Sequence, residues 1–187
     1  MRTRYRFRPR RTWALLGLRG IVAIALCCAP LLGQSVGLAT SAEYIVAFVR
    51  YVHWDSEDKA EVWHVCVGPG VPIEHDRPYA NEVVRGKRFS VRHVSAADAI
   101  ATCHVLDLTG SETANAASLL QRVRHLPILT VGNGADFCSA GGLMCLQLNG
   151  SGQKFDINLS AVKESGLNIS ARLLMIGSSR SGKREGQ

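Results

Sequence analysis

The sequence predicts an α/β domain: a single three-layer unit with a largely parallel sheet flanked by helices and closing with a β-hairpin. Three observations lead there. Strand-like and helix-like runs alternate between residues 61 and 131, the pattern of crossover connections between parallel strands. The run at 61–67 carries Val62, Trp63, Val65, Cys66 and Val67 with little alternation, as a strand covered on both faces does. Near the end, the apolar run 144–148 and the alternating run 154–159 are separated by Asn149-Gly150-Ser151-Gly152, residues that tolerate a tight reversal.

In chain order, a helix is expected over 42–54. Ile45, Phe48, Val49 and Val52 share one face at helical spacing, and Tyr44, Ala47, Tyr51 and Trp54 share the neighbouring one. Only Arg50 and His53 break so wide an apolar surface. It holds more aromatic area than one core face needs, so Tyr44, Tyr51 and Trp54 are the candidates for binding a partner. Gly68-Pro69-Gly70 ends the strand at 61–67. A weak helix over 73–84, broken near Pro78, precedes an alternating outer strand at 88–94. Ser95 then caps a short helix over 96–101. A third strand at 103–108, an amphipathic helix at 111–124 and a fourth strand at 127–131 follow. If the first and third strands are neighbours, Cys66 and Cys103 can meet across them. After the glycine-bearing loop between Cys138 and Cys145 and the hairpin, Ser160 is expected to cap a short helix that Gly166 stops. Ser170 opens the last one, with Leu173, Leu174 and Ile176.

Residues 1–39 read as a signal peptide. Six arginines lie in the first eleven residues, thirteen uncharged residues run from 20 to 32, and Gly37-Leu38-Ala39 supplies a small-residue end, with Ala42 as a second possible cleavage point. A retained membrane anchor over 20–39 is the competing reading, opposed by Pro30, Gly33, Gln34 and Ser35. Leu26 is too bulky for a lipoprotein signal at Cys27, and Arg10-Arg11 makes only a partial twin-arginine pattern. Removing the seven arginines of 1–39 from a formal charge of +7 leaves a mature chain with no net charge. Nucleic acid is therefore not an expected partner. One domain, 42–176, is expected, with a disordered tail at 177–187 rich in Ser, Arg, Gly and Lys.

Export to an oxidising compartment turns the four cysteines of the mature chain, at 66, 103, 138 and 145, into disulfide candidates with three possible connectivities. Zinc is disfavoured because no pair has the short gap of a thiolate knuckle. Gly177-Ser-Ser-Arg-Ser-Gly182-Lys183 resembles a phosphate loop, but Arg184 stands where Ser or Thr is needed and no room remains for the following helix. Asp107 sits near a strand end without the paired acids of a magnesium-binding receiver, so it reads as a turn residue. The histidines at 53, 64, 75, 93, 104 and 125 never pair at ligand spacing. Asn149, Asn158 and Asn168 begin glycosylation-type triplets, yet Asn158 is better placed as a cap or turn residue. No Gly-x-Ser-x-Gly elbow is present. The residues assemble no active site, so no enzyme activity, cofactor or metal is expected.

The run from Gly141 to Ile176, with Phe-Asp-Ile-Asn-Leu at 155–159, Gly166-Leu167 and Ile169-Ser170, resembles the C-terminal half of the YfiR family of small periplasmic proteins. Tyr44-Ile-Val-Ala-Phe-Val-Arg-Tyr-Val-His-Trp54 is similar to that family's first aromatic helix, and the resemblance covers 42–176. It implies the pairings Cys66 with Cys103 and Cys138 with Cys145. It also implies a periplasmic repressor that binds the periplasmic domain of a transmembrane GGDEF diguanylate cyclase, lowers cyclic-di-GMP and biofilm formation, and is drawn away by an OmpA-like outer-membrane lipoprotein. A homodimer is compatible with it. The alternative is a periplasmic solute-binding module for a small aromatic or nucleotide-like ligand.

Overall fold

Thr40 and Glu43 close a capping box: the Thr40 hydroxyl accepts the Glu43 N–H at 3.4 Å, and the Glu43 carboxylate accepts the Thr40 N–H. The computed structural model describes residues 40–149 and 152–180, so residues 1–39, over which a signal peptide is expected, the tip of the hairpin turn and residues 181–187 lie outside the described residues. Helix α1 (Ser41–Val49) buries Ala42, Ile45, Val46, Phe48 and Val49. It is shorter than the expected 42–54. Beyond Arg50 and Tyr51 the chain extends into β1 (Val52–His53), which pairs antiparallel with β9 (Asn168–Ile169). A partner from the far end of the domain thus competes with continued helix, which local periodicity does not register.

Among the described residues the main sheet has eight strands: β2 (Val62–Val67), β3 (Val83–Val84), β4 (Lys87–His93), β5 (Val105–Asp107), β6 (Leu129–Asn133), β7 (Met144–Asn149), β8 (Gly152–Asn158) and β10 (Ser178–Arg180). Their spatial order is β10-β8-β7-β6-β5-β2-β4-β3. The central strands β4, β2, β5, β6 and β7 are mutually parallel, and β7 and β8 form the expected antiparallel hairpin.

The two-residue period of the strands sorts side chains into two cores. Trp63, Val65, Val67, Val105, Leu129, Val131, Met144 and Leu146 join the core under α1 and α5 (Leu159–Ser165). Cys66, Leu106 and Cys145 point the other way, into the core under α3 (Thr113–Val123) and α4 (Gly134–Ser139). This is the three-layer arrangement expected from the alternation of elements.

Several local expectations are corrected. Residues 73–84 are not one weak helix: a 3₁₀ turn at Ile73–Asp76 leads into α2 (Arg77–Ala80), and Val83–Val84 pairs with β4 as a strand. Pro78 does not break the helix; it occupies the first turn, where a missing N–H leaves no bond unmade. No helix forms over 96–101. There the Ser95 N–H donates to Asp98 Oδ2 at 2.6 Å and the Ala97 N–H to Ser95 Oγ at 3.3 Å, side-chain bonds that offer the backbone an alternative to a helical turn. The fourth strand lies at Leu129–Asn133, two residues past its expected position at 127–131, and α4, absent from the sequence reading, follows directly. Asn158, not Ser160, caps α5 by accepting the Ala161 N–H at 3.2 Å, while Gly166 ends it in the left-handed region and Ser170 caps α6 (Ala171–Ile176) as expected. Order also continues into the expected tail, because β10 pairs parallel with β8.

Candidate functional site

α1 and α2 together enclose a groove of about 550 Å³. From the α1 side it is lined by Glu43, Val46, Ala47, Arg50 and Tyr51; from the α2 side by Arg77, Pro78 and Glu82. The helical spacing of Glu43, Ala47 and Arg50 puts them on one side of α1, above the face that enters the core. Arg50 donates to Glu82 at 2.9 Å and so bridges the two walls.

Each wall is fixed from behind. Tyr79 is buried beneath α2, its ring against Phe89 at 5.6 Å and its hydroxyl 3.5 Å from the Asp107 carboxylate. Asp76, just before α2, meets His93 at the end of β4 at 3.0 Å. The other wall is held by Arg85. With Gly86 it makes the two-residue turn between β3 and β4, with φ of 49° and 78°, a conformation that demands two left-handed residues. From that turn its guanidinium donates to the carbonyls of Val49 and Val52, pairs with Glu57, and stacks 4.7 Å over the Trp63 ring. The helix end is thereby capped by a side chain from the β3–β4 turn at one edge of the sheet. The sequence reading passed over Arg85; the signal was Arg85-Gly86 lying between Val83-Val84 and an alternating run.

The three aromatic candidates do not share one surface. Tyr44 and Tyr51 are partly buried, packed against the core, and Tyr51 lines the groove. Trp54 lies past the helix end and is only 4% exposed; its indole N–H donates to the Pro127 carbonyl at 2.8 Å and its ring packs on Trp63. It belongs to the core, which removes it from any outward-facing set.

In a doubly wound sheet ligands sit outside the carboxyl ends of the strands where the order reverses, here between β2 and β5. That crevice is filled by the chain itself. A Cβ on Gly70 would stand 2.4 Å from the Gly110 carbonyl oxygen, and one on Gly110 would stand 2.6 Å from that of Gly70. Ser111 Oγ donates to the Pro69 carbonyl at 2.7 Å, fastening the two loops. Asp107, at the end of β5, is fully buried; its carboxylate accepts the Thr109 N–H at 3.0 Å and the Thr109 hydroxyl at 2.7 Å. Burial pushes its pKa up, and burial beside this carboxylate pushes that of Tyr79 well up. Asp107 is a turn-forming strand-end residue, as the sequence suggested. A smaller cleft of about 140 Å³ lies beside it, lined in part by Thr109, Thr113 and Asn133.

Among the described residues the four cysteines form two bridges, Cys66 with Cys103 and Cys138 with Cys145, all buried in the α3-side core and away from the groove. Among the described residues no group of three His, Cys, Asp or Glu side chains is placed to hold a metal ion, and no helix is long and apolar enough to cross a membrane. A family model described as YfiR/HmsC-like matches residues 39–178. No curated protein matches the chain.

Proposed function

The chain belongs to the YfiR/HmsC-like family, regulatory and non-catalytic proteins of periplasmic cyclic-di-GMP signalling, and from that premise we propose that it represses a membrane-bound diguanylate cyclase by binding the enzyme's periplasmic domain. The family match carries this reading. Two bridges buried in the fold suit the oxidising periplasm. With the crevice between β2 and β5 filled, the α1–α2 groove, with Tyr51 in its wall, is a concave surface that suits a partner. To repress, the protein must bind the inactive cyclase conformation more tightly than the active one; a tenfold change in activity needs about 1.4 kcal/mol of difference. An OmpA-like outer-membrane lipoprotein that competes for the repressor would relieve it.

Deleting the gene tests this reading. Cyclic-di-GMP and biofilm rise, and the rise disappears when the cyclase is deleted too; an unchanged level in a strain that expresses the cyclase refutes repression. The groove's volume also lies within the range of about 300–1,000 Å³ that small-ligand sites occupy, which favours solute binding as the second reading. Calorimetric binding of an aromatic or nucleotide-like solute, together with an unchanged cyclic-di-GMP level, selects it.

A further inference from the structure

We propose that the α1–α2 groove takes an acidic segment of the cyclase's periplasmic domain, a carboxylate flanked by apolar side chains, with Arg77 as the anchoring cation; this rests on the repressor reading above. The charges lining the groove are two carboxylates and two guanidiniums, and they are not equally committed. Glu43 accepts the Thr40 N–H in the capping box, and Glu82 pairs with Arg50 at 2.9 Å. Arg77, on the α2 wall, has neither an ion pair nor a side-chain hydrogen bond among the described residues.

An incoming segment therefore meets one uncommitted positive charge above an apolar floor of Val46, Ala47, Tyr51 and Pro78. Ile73, 73% exposed, precedes α2, and Val83, 50% exposed, follows it, so apolar surface continues at both ends of that wall. A basic segment would find both carboxylates occupied and Arg77 opposed to it. A wholly apolar segment would strip water from the Arg77 guanidinium and leave it unpaired, which opposes binding. A carboxylate satisfies it with a two-pronged charge-assisted bond while its apolar neighbours cover the floor. A second copy of this chain, docked groove to groove, would offer Arg77 only carboxylates already engaged, Glu43 in its capping box and Glu82 with Arg50.

The test uses the mature chain and the host's full-length transmembrane diguanylate cyclases, expressed one at a time in membrane vesicles. Arg77→Glu weakens binding to the cyclase at least about tenfold, since it sets like charges together. Arg77→Lys keeps part of the affinity, because the charge remains without the fork. Lys163→Glu, the same charge change on α5 outside the groove, leaves binding within about twofold. Circular dichroism of each variant confirms that the fold is kept. If wild type binds and Arg77→Glu binds equally well, the groove assignment is overturned while repression stands. If wild type binds no cyclase, both fall. A change in oligomeric state of Arg77→Glu in the absence of any cyclase assigns the groove to a second copy and also overturns the proposal.

Discussion

The backbone N–H of His64 donates to Nδ1 of His104 at 3.0 Å, and the two rings stack with centroids 5.6 Å apart. The bond lies beside the central parallel pair β2 and β5, where the His104 N–H in turn donates to the His64 carbonyl at 2.9 Å. It requires Nδ1 to be unprotonated, which fixes the neutral tautomer with its hydrogen on Nε2. Burial, and then the neighbouring His64, hold the His104 pKa below the ordinary 6.5.

A histidine with a depressed folded pKa contributes stability that is full above about pH 6.5 and is lost as pH falls through the lower folded value, because the unfolded chain takes up the proton first. The urea midpoint of the wild type therefore falls between about pH 7.5 and 5, and His104→Gln flattens that fall. Equal pH profiles for the two proteins would show that His104 is not the titrating group.

The two bridges close loops of unequal length, with sequence separations of 37 and 7 residues. Loop-closure entropy assigns about 4 kcal/mol to Cys66–Cys103 and about 2.5 kcal/mol to Cys138–Cys145. Removing the first pair as a double alanine variant lowers stability more than removing the second, as denaturant unfolding of both variants measures. The reverse order would mean that packing around the helix-end cysteine Cys138 outweighs chain entropy.

Arg85 joins the end of α1, β1 and Glu57 to the Trp63 ring through one guanidinium. Arg85→Ala leaves the carbonyls of Val49 and Val52 and the Glu57 carboxylate without this donor. We expect a loss of about 2–4 kcal/mol with a shift in Trp63 fluorescence. A variant that melts with wild type would show that the helix end is held by the β1–β9 pairing alone.

Gly110→Ala tests the filled crevice. The new methyl must stand 2.6 Å from the Gly70 carbonyl oxygen and 2.8 Å from the Val71 Cα, both backbone, so the loops have to part. A loss of about 2–4 kcal/mol in denaturant unfolding is expected, whereas Gly86→Asn, where a Cβ meets open space and the left-handed conformation suits Asn, costs under about 1 kcal/mol.

The sequence by itself determined the layer architecture and the strongest elements. β2, α3 and the β7–β8 hairpin follow from period and turn chemistry written within a dozen residues, and the Gly166 stop and Ser170 cap are equally local. What only the tertiary structure decided are the features made by residues far apart. α1 ends at Val49 because β9 and Arg85 claim the backbone beyond it, so Trp54, which helical spacing aligned with Tyr44 and Tyr51, turns into the core. Val83–Val84 became a strand because β4 lay beside it, and 96–101 failed as a helix because Ser95 and Asp98 bonded its backbone while Arg122 took the carbonyls of Ala96 and Asp98. The groove has the same origin. Its walls are separate helices whose facing is set by Tyr79, Arg50–Glu82 and Arg85, and hydrogen bonds and packing at that range leave no period in the chain to read.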